Sequence, residues 1–149
     1  MPQPDALSLA CSSALIGVAG FHVLWGLGSA WPAADRSRLA DSVAGTVEMP
    51  SARACFAVAV ALGGAAALVA GAGEHHRLLR VARAGVGAGL VSRGVMGVTG
   101  WTVLLVPWTP SRHFQNLDRR FYGPFCLALG GSILTPSCAD RRGSSKSGD

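Results

Sequence analysis

The sequence predicts an all-α protein, a four-transmembrane-helix bundle with short loops. Three observations carry that prediction. Charged residues make up only 14% of the 149 positions, whereas an ordinary soluble domain carries about a quarter. Half of the residues are apolar and the mean hydropathy is +0.37, so too little polar surface exists to cover a globule. Finally, residues 6–34, 54–73, 94–111 and 121–139 each lack Asp, Glu, Lys and Arg. A helix that spans a bilayer needs about 20 mostly apolar residues. The competing reading is a soluble, Ala/Gly-rich helical domain.

The four spans are expected near residues 6–30, 50–73, 81–106 and 121–137, in one domain covering residues 1–138. The first begins after a short polar lead without a basic cluster, so it reads as a retained span and not a cleaved signal. Its first half is Ala, Ser and Leu. From Val18 onward the pattern changes: Val18, His22, Trp25 and Ser29 share one helical face. Trp31-Pro32 supplies a stop, because proline disfavours helix at the residue before it. The loop that follows offers a short interfacial helix around Leu39 and Val43.

Pro50 suits the first turn of the second span, where its missing N–H costs nothing. Glu48 sits just outside that turn, where the helix dipole favours a negative charge. The span itself is nearly all Ala, Val and Gly, a composition that lets neighbouring helices approach in lipid. Glu74-His75-His76-Arg77 then makes a basic turn, read as interfacial because no third metal ligand accompanies the histidines.

In the third span Gly85, Gly89, Arg93 and Gly97 recur every four residues, with Trp101 next. This is a small-residue stripe interrupted by an arginine. An intramembrane arginine either faces a partner or a wet cavity or snorkels to the interface. Pro107-Trp108-Thr109-Pro110 ends the span. The fourth begins near Phe121-Tyr122-Gly123-Pro124, and residues 139–149 read as a disordered polar tail.

The thirteen Lys and Arg residues give a net charge of +5. They fall between the apolar runs, which points to membrane interfaces and away from nucleic acid. Lys/Arg counts on the two sides tie, so orientation rests on the basic tail, which places both termini in the cytoplasm. The four cysteines (Cys11, Cys55, Cys126, Cys138) have no metal spacing and read as free, small apolar residues, with a Cys11–Cys138 or Cys55–Cys126 disulfide as the alternative.

The aromatics are distributed one-sidedly. Trp25, Trp31, Trp108, Phe121 and Tyr122 lie at the side of the first and third loops, with Trp101 below them. An anchoring belt populates both interfaces, so this crowding predicts an aromatic-walled pocket lined by Trp25, Trp31, Arg93, Trp101, Trp108 and Phe121. His22, Glu48, Asp118 and Tyr122 are the chemistry-bearing candidates. His22 is a proton acceptor or an orienting group. A carboxyl lowered into an apolar pocket holds its proton more tightly and can serve as a general acid, a role open to Glu48 or Asp118. Tyr122 could donate to a carbonyl or epoxide oxygen. Each has a plainer reading: a core hydrogen bond for His22, dipole complementation or arginine pairing for the carboxyls, and an interfacial anchor for Tyr122. No phosphate loop, nucleophile elbow, HExxH or dinucleotide fingerprint is present, and no cofactor or metal is expected.

Several segments resemble a bacterial family of small four-helix membrane proteins known only as a domain of unknown function. They are Phe21-His22-Val23-Leu24-Trp25-Gly26-Leu27-Gly28 followed by Trp31-Pro32, then Val91-Ser92-Arg93-Gly94. Phe114-Gln115-Asn116-Leu117-Asp118 followed by Tyr122-Gly123-Pro124-Phe125-Cys126-Leu127 completes the set. The resemblance covers roughly residues 10–135. It implies four spans and a membrane location, and it supplies no activity and no site residues.

Two functional expectations follow. One is binding of, or action on, a lipid-soluble small molecule, most concretely acid-initiated isomerisation or cyclisation of an isoprenoid. The other is a non-enzymatic membrane subunit, self-associating or joining a partner through the glycine stripe. A proton or ion path through Arg93 and His22 is a weaker third.

Overall fold

The computed structural model describes residues 6–72, 76–104 and 106–135. Residues 1–5, Glu74, His75, Cys138 and the polar tail lie outside that set. Among the described residues the chain is all α. The helices are α1 (Ala6–Gly26), α2 (Arg36–Ala44), α3 (Ala52–Val69), α4 (Arg77–Thr99), α5 (Arg112–Leu117) and α6 (Gly123–Leu134). Two of them, α1 and α3, are long and apolar enough to cross a membrane by length and composition. α4 carries Arg77, Arg80, Arg83 and Arg93, and α6 has 12 residues.

Helix ends follow glycines more closely than prolines. α1 stops at Gly26, ahead of Trp31-Pro32, because Gly28 takes the left-handed conformation with φ 101°. Ser29 N–H then reaches the Leu24 carbonyl at 3.0 Å and Gly28 N–H the Trp25 carbonyl at 3.1 Å, a Schellman closure. Gly71 (φ 99°) ends α3 in the same way, and Gly45 (φ 69°) ends α2 with its own N–H on the Asp41 carbonyl at 3.1 Å. Asp35, Ser51 and Ser111 cap α2, α3 and α5 by accepting from the backbone N–H three residues on.

The last helical segment begins at Arg112, nine residues before the expected start of the fourth span. α5 and α6 are joined by one π-helical turn, Asp118–Tyr122. Pro124 explains it: proline has no N–H for the Arg120 carbonyl, and the wider turn lets Gly123 N–H bond to the Asp118 carbonyl instead.

α1 packs along α3, and α4 along α6; smaller contacts of α3 with α4 and α1 with α6 join the two pairs. The α4–α6 seam is glycine against glycine. A Cβ on Gly94 would lie 2.8 Å from the Gly123 carbonyl oxygen, and one on Gly130 would lie 2.6 Å from that of Gly87. Two helices approach this closely only where side chains are absent.

The shared apolar core sits at one end. Cys11 and Leu15 of α1, Ala66 and Val69 of α3, and Leu129 and Ile133 of α6 are buried together, with Val86 and Leu90 of α4 packed against them. Ser12 ties α1 to α3 there, donating to the Ala66 carbonyl at 3.0 Å.

Candidate functional site

Following each helix from that core toward its other end reveals a change of chemistry. Seven residues is close to two helical turns, so positions seven apart share a face. His22 is seven residues beyond Leu15, and Arg93 seven beyond Val86. Cys126 is seven before Ile133, and Tyr122 seven before Leu129. The inward positions are apolar at the Leu15 end, where Leu15, Leu129 and Ile133 are buried, and polar at the His22 end, where His22, Arg93, Tyr122 and Cys126 are half-buried.

The firmest element at this end is an ion pair. Arg93 Nη2 donates to Asp118 Oδ1 at 2.7 Å. Asp118 is 2% exposed and the Arg93 side chain 32%. The Thr102 hydroxyl donates to the other carboxylate oxygen, Oδ2, so both Asp118 oxygens are engaged. Three structural devices bring these groups together. Gly100 (φ 81°) ends α4 and turns the chain into a 3-10 turn that presents Thr102. The π turn begins at Asp118. Gly97 makes room, since a Cβ there would lie 2.9 Å from Asp118 Oδ1 and 3.0 Å from Arg93 Nη1. Arg93 Nη1 is enclosed and meets no acceptor among the described residues. Cys126 lies close enough to feel both charges.

α2 lies over this region. Tyr122 donates its hydroxyl to the Ser42 carbonyl at 3.1 Å, and Trp108 Nε1 donates to the Ala44 carbonyl at 3.1 Å. Ser111 N–H reaches the Gly45 carbonyl at 3.0 Å. Carbonyls at the end of α2 that the helix leaves unpaired thus find donors from the third loop. Leu39 and Ala40 are buried beneath α2, and the Phe114 and Tyr122 rings meet at 6.2 Å.

A second group forms at the end of α1. His22 Nδ1 lies 2.9 Å from the Val18 carbonyl oxygen. Because a carbonyl only accepts, Nδ1 carries the proton and Nε2 of the neutral ring carries the lone pair. The ring tilts against Trp25, centroids 4.9 Å apart. Trp25 Nε1 donates to the Trp31 carbonyl at 2.9 Å, and Trp31 stacks on Phe21 at 5.5 Å. The outer side of this group, with Gly17, Gly20, Val23 and Leu24, lines an open apolar groove facing away from the helix core.

The predicted residues therefore divide. Arg93 and Asp118 pair with each other, and Tyr122 and Trp108 meet at the end of α2. His22, Trp25 and Trp31 form a separate group, and among the described residues no hydrogen bond or ring contact links the two. Trp101 and Phe121 point outward, 61% and 63% exposed. Glu48 is exposed, and its recorded contact is through its backbone carbonyl, which accepts from the Thr46 hydroxyl. Thr102 and the α2 carbonyls were missed by sequence reasoning: a threonine in an apolar run announces nothing until a buried carboxylate is placed beside it. Cys11, Cys55 and Cys126 are free thiols. Among the described residues no cluster of His, Cys, Asp or Glu could hold a metal ion.

Fold and site together define an all-α chain of two close helix pairs, sharing an apolar core at one end and a polar interior built on a buried ion pair at the other. The chain belongs to the family described as Protein of unknown function (DUF3995), whose model matches residues 15–133. No curated protein and no solved structure matches it.

Proposed function

We propose that the chain is a four-span integral membrane protein that binds the polar end of a lipid-soluble small molecule between its two helix pairs, at the His22 end. The observation behind this reading is the change along the inward faces: Leu15, Val86, Leu129 and Ile133 give way to His22, Arg93, Tyr122 and Cys126, with Leu15, Leu129 and Ile133 buried and His22, Tyr122 and Cys126 half-buried. An ionisable pair on a membrane helix is a functional-site hypothesis by default. A π turn at its carboxylate adds to that, since such turns recur at functional sites.

Two arguments support four spans. Three of the four α4 arginines fall in its first seven residues, so the rest of the helix carries Arg93 alone. α6 is short, but α5, the π turn and α6 run continuously over residues 112–134. At about 1.5 Å per residue that is roughly 34 Å, a bilayer's thickness.

The same geometry supports binding ahead of acid catalysis, because both Asp118 oxygens are engaged and Glu48 lies apart. An isoprenoid, quinone or sterol-like compound fits the reading. The experiment is organic extraction of the purified protein followed by mass spectrometry, comparing wild type with Cys126→Phe, which fills the inward face. A compound retained by wild type and depleted in the variant is expected; equal occupancy, or none in wild type, would overturn the reading.

One observation favours a second reading, a membrane subunit assembling through α4. A Cβ on Gly85 or Gly89 would meet nothing within 4 Å, so that side of α4 is open to another helix. Crosslinking in membranes should then capture an oligomer that Gly89→Leu abolishes.

A further inference from the structure

Resting on the binding reading above, we infer that the ligand's polar end is a neutral hydroxyl, and that it donates to Nε2 of His22. The inference comes from counting which polar groups at this end are already engaged. Trp25 Nε1 is held by the Trp31 carbonyl. The Tyr122 hydroxyl is held by the Ser42 carbonyl, and the Thr102 hydroxyl by Asp118. Arg93 is committed to Asp118 through Nη2, and its Nη1 is closed off against Gly97. The strong donors are therefore engaged or enclosed.

The acceptors show the opposite pattern. Both Asp118 oxygens are taken. His22 is different: its Nδ1–H is fixed on the Val18 carbonyl, which leaves the Nε2 lone pair without a partner among the described residues. The ring is half-buried on the inward face, two turns above Leu15. Trp25 packs at its side and limits its rotation. Nε2 keeps some exposure, so a lone pair held in this orientation is open to a molecule that brings a donor.

Charge argues the same way. Arg93 and Asp118 neutralise each other at 2.7 Å, and Arg36, the exposed cation beside Trp25, already donates Nη1 to the Trp25 carbonyl at 3.4 Å. An anionic head at His22 would have to break the first pair or draw Arg36 from its carbonyl. A ketone or quinone oxygen would arrive as a second acceptor where the strong donors are already engaged. A prenyl or other long-chain alcohol satisfies Nε2 and leaves its chain to the apolar helices.

The test uses full-length protein in nanodiscs, with empty discs subtracted. Farnesol, farnesyl diphosphate and farnesene share one chain and differ in the head. Tryptophan fluorescence reads their binding, since Trp25 touches His22. Farnesol should bind about fivefold or more tighter than farnesene, the size of one neutral hydrogen bond, and farnesyl diphosphate should bind no better than farnesene. His22→Phe should remove farnesol's advantage, bringing the ratio of farnesol to farnesene affinity down to about one. Tighter binding of the diphosphate, or an alcohol preference that survives His22→Phe, would overturn the hydroxyl inference while leaving the binding reading standing. If none of the three binds to wild type, both fall together. A ¹⁵N-histidine spectrum of wild type alone gives a second readout: farnesol should shift the His22 Nε2 resonance and leave Nδ1 protonated. An unmoved Nε2 resonance at saturating farnesol would contradict the inference.

Discussion

Arg93 on α4 and Asp118 at the start of the π turn meet at 2.7 Å, across 25 residues of sequence. The carboxylate is almost fully buried and the guanidinium a third exposed, so the two ends of the bond are not equivalent. Removing Arg93 strands a fully buried carboxylate, whereas removing Asp118 leaves a guanidinium whose side chain is still a third exposed. Arg93→Met should therefore cost about 3–5 kcal/mol. Asp118→Leu should cost less, and the double variant less than the sum of the two. Thermal unfolding of the three variants in one detergent measures this; additive losses would show that the pair is not coupled.

The α4–α6 seam makes a sharper claim about individual glycines. Gly130 has the Gly87 carbonyl oxygen 2.6 Å from its Cβ position, and that oxygen cannot move without its helix. Gly130→Ala should cost about 1–3 kcal/mol as an overpacked contact. Gly17→Ala is the control, because nothing lies within 4 Å. There the gain in helix propensity of about 0.5–1 kcal/mol should appear, or at least no loss. Equal effects at the two sites would contradict the seam.

Donors from the third loop and the π turn hold the C-terminal end of α2 in place. Tyr122→Phe and Trp108→Phe each delete a hydrogen bond to an α2 carbonyl and keep an aromatic ring. Each should destabilise by about 1 kcal/mol, and amide exchange should quicken in residues 36–44 before it does so in α3. Exchange that rises uniformly through all helices would argue against a separately docked α2.

The cap of α2 gives the chain a defined pH response. The Arg38 backbone N–H and the Ser37 hydroxyl hold the Asp35 carboxyl below its ordinary value of 3.8. A carboxyl lowered on folding contributes stability that is fully present above its unfolded value and lost as pH falls through the folded one. Exchange of the Arg38 amide should therefore accelerate as pH drops below about 4, beyond the intrinsic acid dependence of exchange. Asp35→Asn keeps a capping oxygen and should flatten that extra response. An unchanged profile in the variant would remove Asp35 as its source.

Much of the helical layout was legible because apolar runs are local signals, but the caps were not read, and α3 starts at Ala52 behind its Ser51 cap and not at Pro50. The i, i+4 spacing that grouped Val18, His22 and Trp25 placed them on one side of α1, and His22 does face inward. Other features depended on long-range placement. The stripe of Gly85, Gly89, Arg93 and Gly97 does not stay on one face, since each four-residue step advances about 40°. Gly97 ends up against Asp118, while Gly85 and Gly89 face outward. The working seam is instead Gly87 and Gly94 against Gly123 and Gly130, a seven-residue spacing on each helix. The sequence leaves Arg93 facing a partner, a wet cavity or the interface, and the fold selects Asp118. Aromatic crowding did not give the direction of each ring, and Trp101 and Phe121 face out.

The central claim is that the inward faces are closed at the Leu15 end and accessible at the His22 end. Thiol labelling tests it directly, because free cysteines mark both regions: Cys11 is 4% exposed in the shared core and Cys126 is half-buried beside the ion pair. With Cys138 and Cys55 replaced by serine, a small membrane-permeant maleimide is applied to the protein in native membranes, and modified peptides are quantified by mass spectrometry. The account predicts that Cys126 reacts and Cys11 does not. An unreactive Cys126, or equal modification of the two, would contradict it.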